Sequence, residues 1–122
     1  MTNEEIKAIK RLQTSQIFVY SLIFASSLSI YINEGQIDLI KNKENARVTP
    51  KELYNVGKTA TIIVWISSIY FLITNFDTYN KEKTKQNASF LTSAFLAFQA
   101  SSIRLHTVLS NPVDDISSQD IV

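Results

Sequence analysis

The sequence predicts an all-α fold: a three-helix transmembrane bundle of alternating, antiparallel neighbours, with helices one and two extending beyond the membrane. Three observations lead there. Residues 12–33, 59–76 and 86–103 hold no Asp, Glu, Lys or Arg, although the chain carries 12 basic and 11 acidic side chains. A charge-free apolar run of about 18 residues or more is long enough for a helix to cross the hydrocarbon layer. A soluble amphipathic helix of that length would keep several charges on a wet face. Finally, the polar stretches between the runs are short, which favours antiparallel neighbours. The averages (45% hydrophobic, 19% charged, mean hydropathy +0.02) conceal this segregation.

Helix one opens at Met1-Thr2-Asn3-Glu4-Glu5, where Thr2 as N-cap and Glu5 three residues later form a capping box. Ile6, Ile9 and Leu12 mark an apolar stripe, with Lys7, Lys10 and Arg11 on the rest of the surface. The span follows at about 12–32, and Asn33-Glu34-Gly35 is expected to end the helix, with Gly35 just past its C-terminus. A signal peptide is the rival reading, but the apolar stretch is long and no small-x-small cleavage site follows it, so the segment is expected to stay.

Residues 33–48 read as a polar loop whose Ile37, Leu39 and Ile40 rest on the membrane surface. Thr49-Pro50-Lys51-Glu52 then combines an N-cap, a proline at the first helical position and an acid three residues after the cap. Helix two therefore starts outside the membrane and spans at about 58–76. Its β-branched content would suit a buried strand, but strands rarely exceed about ten residues. Asp77 to Asn87 reads as a charged linker, and helix three spans at about 88–109, ended by Asn111-Pro112. Residues 1–111 thus form one membrane domain, and the acidic 112–122, VDDISSQDIV after Pro112, read as a disordered tail. Tyr31 and Tyr54 fall at one interface and Tyr79 and Phe90 at the other, while Trp65 and Tyr70 lie deeper, between helices.

Lys and Arg counts tie across the membrane. Lys7, Lys10, Arg11, Lys81, Lys83 and Lys85 oppose Lys41, Lys43, Arg47, Lys51, Lys58 and Arg104. The three basic residues next to the first span and the acidic tail tip the expectation to a cytoplasmic N-terminus.

Composition bounds function. With no cysteine and one histidine, thiolate nucleophiles, Cys-ligated metals and His-cluster metal sites are excluded. The net charge of +1 lacks the basic stripe of a nucleic-acid binder. No catalytic motif or cofactor site is present, no small-molecule substrate is evident, and an enzyme is not expected. Small residues recur at four-residue spacing: Ser21/Ala25/Ser29, Ala60/Val64/Ser68 beside Gly57/Thr61, and Ser93/Ala97/Ser101. Such faces let helices approach closely in lipid, either within the bundle or toward a second copy or another membrane subunit. Gln99, Ser102 and His106 share one side of helix three, and an amide at Gln99's depth needs a hydrogen-bond partner. Arg104 is the deepest charge, expected to snorkel or to pair with Glu34 or Asp38.

Three short spans with small loops are similar in size and layout to phage holins, small pore-forming proteins. That resemblance implies a homo-oligomeric pore, although the strongly basic holin tail is replaced here by an acidic one. The leading expectation is a small accessory or structural protein of a bacterial or viral membrane, packed laterally in the lipid bilayer.

Overall fold

A computed structural model describes residues 1–111 and holds three helices: α1 (Asn3–Lys41), α2 (Pro50–Lys81) and α3 (Lys85–Ser110). No strand occurs among the described residues. The expectation of a disordered tail falls outside them. At about 1.5 Å per residue the 39, 32 and 26 residues of the three helices give lengths of roughly 58, 48 and 39 Å. By length and composition α1 and α2 are apolar enough to cross a membrane. The sequence reading counted a third span in α3 from its lack of charge. Apolarity does not put α3 in the same class, because Gln86, Asn87, Ser89, Thr92, Ser93, Gln99, Ser101 and Ser102 all lie in its charge-free run.

Local chemistry sets where each helix begins. Thr2 caps α1 with a reciprocal box: its hydroxyl accepts from Glu5 N–H at 3.1 Å, and Glu5 reaches back to the Thr2 N–H. Thr49 caps α2 by accepting from Glu52 N–H at 3.2 Å, with Pro50 at the first position. Residues 50–58 are helical, as the Thr-Pro signature predicts. Thr84 caps α3 by accepting from Asn87 N–H at 3.0 Å. Each cap satisfies a donor that the first helical turn leaves without an internal partner.

Two expected loops prove to be helix. α1 does not stop at Asn33-Glu34-Gly35 but continues to Lys41, and Gly35 is buried inside it. The reason is steric. A Cβ on Gly35 would lie 2.6 Å from Leu53 Cδ2 and 3.2 Å from Val48 Cγ2, so glycine serves here as the point of close approach between α1 and α2. Ile37, Leu39 and Ile40 are accordingly helical. The linker expected from Asp77 to Asn87 shrinks to Glu82–Thr84, since α2 runs on to Lys81 through an Asp77–Lys81 ion pair at 3.1 Å.

The eight-residue loop between α1 and α2 is tied by Asp38. Its carboxylate accepts from Asn42 Nδ2 at 2.8 Å and from the Arg47 backbone N–H at 2.7 Å. The Asn42 bond first, then the Arg47 N–H, hold the Asp38 carboxyl below its ordinary pKa.

The three helices form an open antiparallel layer rather than a closed bundle. α2 packs on both α1 and α3, but no α1–α3 Cα pair comes within 8 Å. The α1 seam reads Ser15, Phe18, Leu22, Ala25, Ser29, Ile32, Gln36, Leu39, all buried or half-buried. On α3 it reads Leu91, Ala94, Phe98, Ser101, Leu105, Val108. Both alternate steps of three and four, the 3.5-residue period of left-handed helix packing. Phe18 stacks on Tyr70 at 4.2 Å between ring centroids and meets Phe71 edge-on at 6.4 Å, fixing one end of the α1–α2 pair. Leu53 and Gly35 fix the other.

Candidate functional site

The packing leaves a cleft where α1 and α3 flank α2 without meeting. Its volume is about 260 Å³. Gly57, Ala60, Thr61 and Val64 of α2 make the floor, α1 supplies one wall from Leu22 to Ile32, and Ser101 and Arg104 stand on the α3 side. The floor exists because α2 carries small residues there, as a larger side chain at Gly57 or Ala60 would fill it. Arg104 is the only charged residue of the lining and is exposed. The Ser68–Ser101 and Trp65–Ser102 contacts set the antiparallel register of α2 and α3, which puts Arg104 level with Val64 and Trp65 rather than with Gly57.

The small-residue candidates scatter across this geometry. Ala25 and Ala60 are buried, Ser21, Ser29 and Ser68 are half-buried, and Ser101 is buried against α2. Ser68 Oγ and Ser101 Oγ lie 2.8 Å apart, hydrogen-bonding α2 to α3. Ser93 and Ala97 are exposed and lie off the α2 seam. Strict four-residue spacing drifts around a helix that meets its neighbour at a period of 3.5, so of that trio Ser101 alone is on the seam. The signal that finds the seam is the three-four alternation itself, which was open to reading in the sequence.

Gln99, Ser102 and His106 do not act together. Ser102 is half-buried and accepts from Trp65 Nε1 at 3.0 Å. Gln99 and His106 are exposed, and His106 has Ser110 Oγ at 3.5 Å within its own helix. Tyr54 Oη donates to the Val108 carbonyl at 3.2 Å, a third polar tie between α2 and α3. Between α1 and α2 the corresponding tie is Ser15 Oγ to Tyr70 Oη at 2.9 Å.

The expected pairing of Arg104 with Glu34 or Asp38 does not form. Among the described residues the one ion pair is Asp77–Lys81, and Asp38 spends its carboxylate on Asn42 and Arg47. Most remaining hydroxyls are closed onto their own helices. Ser21, Ser26, Ser27, Ser29, Thr61 and Ser67 each donate to the carbonyl four residues earlier, at 2.7–3.3 Å. Gln36 is the exception: its Nε2 is buried with no hydrogen-bond partner among the described residues. No group of three metal-ligating side chains converges among those residues.

What the arrangement offers chemically is a shallow, mostly apolar furrow with one cation, Arg104, on its α3 side and no nucleophile–base pair among its lining residues. No family model matches the chain, and no curated protein and no solved structure matches it either.

Proposed function

We propose that this chain is a small three-pass integral membrane protein with an accessory or structural role, which packs laterally against a second copy or another membrane subunit, its N-terminus in the cytoplasm. One observation carries the reading: the size order of its residues is inverted. Large apolar side chains cover the outside, among them Ile17, Ile23, Phe24, Ile66, Ile73, Phe95, Leu96 and Ile103, each 48% exposed or more. The buried residues are mostly small: Ala25, Gly35, Gly57, Ala60, Thr61, Ser67 and Ser101, beside Ile32 and Leu53. A core helix of a water-soluble protein hides its apolar residues, yet 11% of the most apolar window of α1 and 28% of that of α2 is buried. In lipid, outward-facing apolar residues cost nothing, and helices associate through small residues and interhelical hydrogen bonds instead.

The self-satisfied hydroxyls support the same reading. Every polar group in hydrocarbon must find an internal partner, since an orphan costs several kcal/mol. Ser26 and Ser27 are exposed yet bonded to their own backbone. α3 brings more polar groups, and the Trp65–Ser102, Ser68–Ser101 and Tyr54–Val108 bonds tie it to α2, so it enters as the partner of an apolar helix.

Fractionation tests this. The expressed chain should sediment with membranes and resist extraction by alkali or high salt. Recovery as a monodisperse soluble species without detergent would overturn the proposal. A homo-oligomeric, holin-like pore is the second reading, favoured by the cleft with its hydroxyls and its one cation, Arg104. Ion flux through reconstituted liposomes separates the two: flux supports the pore, and tight liposomes support the accessory role.

A further inference from the structure

We infer that the outward face of α3 docks a second copy of this chain, in a parallel pair that sets Gln99 of each copy beside Arg104 of the other. The inference rests on the membrane reading above and names the partner and the face.

The register fixes how deep these residues sit. Ser68–Ser101 and Trp65–Ser102 align α3 antiparallel to α2, so Gln99 is level with about Ile69, and Arg104 with Val64 and Trp65. Both levels fall inside the charge-free run of α2 at 59–76, that of Gln99 near its middle. Both side chains are exposed, and among the described residues neither has a hydrogen-bond or ion-pair partner. At the same levels α1, held in register by Phe18–Tyr70 and Gly35–Leu53, turns Val19, Ile23 and Phe24 outward. The α1 edge of the layer therefore suits lipid. The α3 edge carries an amide and a guanidinium that hydrocarbon leaves unsatisfied, and the amide is too short to reach the headgroups from mid-span.

The surface between those two groups has the pattern that α3 already uses to meet α2. Ser89, Ser93, Leu96, Ala100, Ile103 and Thr107 alternate steps of four and three on the side away from α2, and all are exposed. When two parallel helices pack on such a seam, a residue flanking it on one side lies beside the residue that flanks the other side in the next heptad of the partner. Gln99 and Arg104 hold those two positions. The carboxamide oxygen of Gln99 accepts from the guanidinium of the second copy, and the twofold axis makes the bond twice. No Asp or Glu lies in Lys85–Ser110 or in the charge-free runs of α1 and α2, so within the spans no carboxylate competes for Arg104. A second copy is favoured over a different subunit because the two unsatisfied groups complete each other across the twofold.

Oxidative crosslinking of single-cysteine variants in native membranes tests this, since the chain has no cysteine of its own. Leu96→Cys, Ala100→Cys and Ile103→Cys should each give disulfide-linked dimers, whereas Ile23→Cys, on the outer face of α1, should stay monomeric. In liposomes at decreasing protein-to-lipid ratio, energy transfer between labelled copies should report a dimer whose Kd rises about tenfold in Gln99→Ala, close to what two interhelical hydrogen bonds supply in lipid. Arg104→Ala should weaken the dimer as much, and the double variant no further. Gln99→Glu should tighten it only where Arg104 is present. Crosslinking at Ile23→Cys as efficient as at Ala100→Cys overturns the inference, and so do Gln99→Ala dimers as tight as wild type. A chain that inserts but stays monomeric at every ratio sinks this inference alone, whereas one that never enters the membrane sinks the membrane reading as well.

Discussion

Replacing Gly35 by alanine tests why α1 continues past Asn33 to Lys41. A Cβ there would meet Leu53 Cδ2 at 2.6 Å, Leu53 Cδ1 at 3.1 Å and Val48 Cγ2 at 3.2 Å. Leu53 is 0% exposed, so its methyls have no open space to swing into. Two effects oppose each other. Alanine gains about 1 kcal/mol over glycine in a helix interior. Overpacking a filled interior costs about 1–3 kcal/mol. The net expectation is a loss of about 0–2 kcal/mol. The sign is settled by a double-mutant cycle. Leu53→Ala alone should cost about 2–5 kcal/mol, the usual range for a buried leucine. In that background only the 3.2 Å approach to Val48 Cγ2 remains, and Gly35→Ala should stabilise by up to about 1 kcal/mol. The coupling between the two sites is thus about 1–3 kcal/mol. Equilibrium unfolding by SDS titration in mixed micelles would measure it. If Gly35→Ala stabilises equally in both backgrounds, Gly35 does not touch Leu53. The helix would then end near Asn33 as its polar sequence first suggests.

Other outcomes follow from single contacts. In the same assay Ser68→Ala and Ser101→Ala should couple by about 0.6 kcal/mol, typical of a hydrogen bond between membrane helices; additive losses would mean that the 2.8 Å contact is not formed. Gln36→Met keeps the side chain's shape and removes its orphaned Nε2, so it should stabilise by about 1 kcal/mol, and a loss would reveal a partner for that amide. Asp38 gives a pH dependence. Its carboxyl titrates below the ordinary value of 3.8, so the stabilisation of the 42–49 loop is complete above that pH and is lost as pH falls through the depressed folded value. Hydrogen exchange of the Arg47 amide should accelerate correspondingly in acid relative to Asp38→Asn, in which the effect is flattened; identical profiles would contradict the tie.

The helix starts were legible because they depend on a few adjacent atoms. Thr2 with Glu5 and Thr49 with Pro50 each satisfy an orphan N–H locally, and a reader of sequence sees both partners at once. The helix ends were not. The charge-free run of α1 stops at Asn33, but a helix needs only its own backbone bonds to continue into water, and Gly35 is tolerated inside it because a residue eighteen positions away, Leu53, packs there. The same error shortened α2 and α3: Asp77 and Lys81 are polar but support a helix by pairing one turn apart, and the cap at Thr84 was overlooked among charges. The site was the least legible part. Arg104 was recognisable as a deep charge, but the cleft it lines draws its other residues from α1 and α2 as well as α3. Four-residue spacing suggested Ser93 and Ala97 for contact, whereas the registered seam passes through Ala94 and Phe98.

Membrane insertion itself is most directly tested by cysteine accessibility, for which a chain without native cysteine is well suited. Single cysteines at Ile23, Ile66, Leu96, Asn45 and Lys83 would be reacted with a membrane-impermeant maleimide in sealed vesicles of known orientation. The first three positions are exposed on α1, α2 and α3 outside any protein interior. Three spans leave them unlabelled until detergent is added, with Asn45 and Lys83 labelled from opposite sides of the vesicle. Rapid labelling at Ile23 and Ile66 in intact vesicles would contradict insertion, labelling of Asn45 and Lys83 from the same side would contradict a crossing by α2, and rapid labelling at Leu96 would contradict a third span.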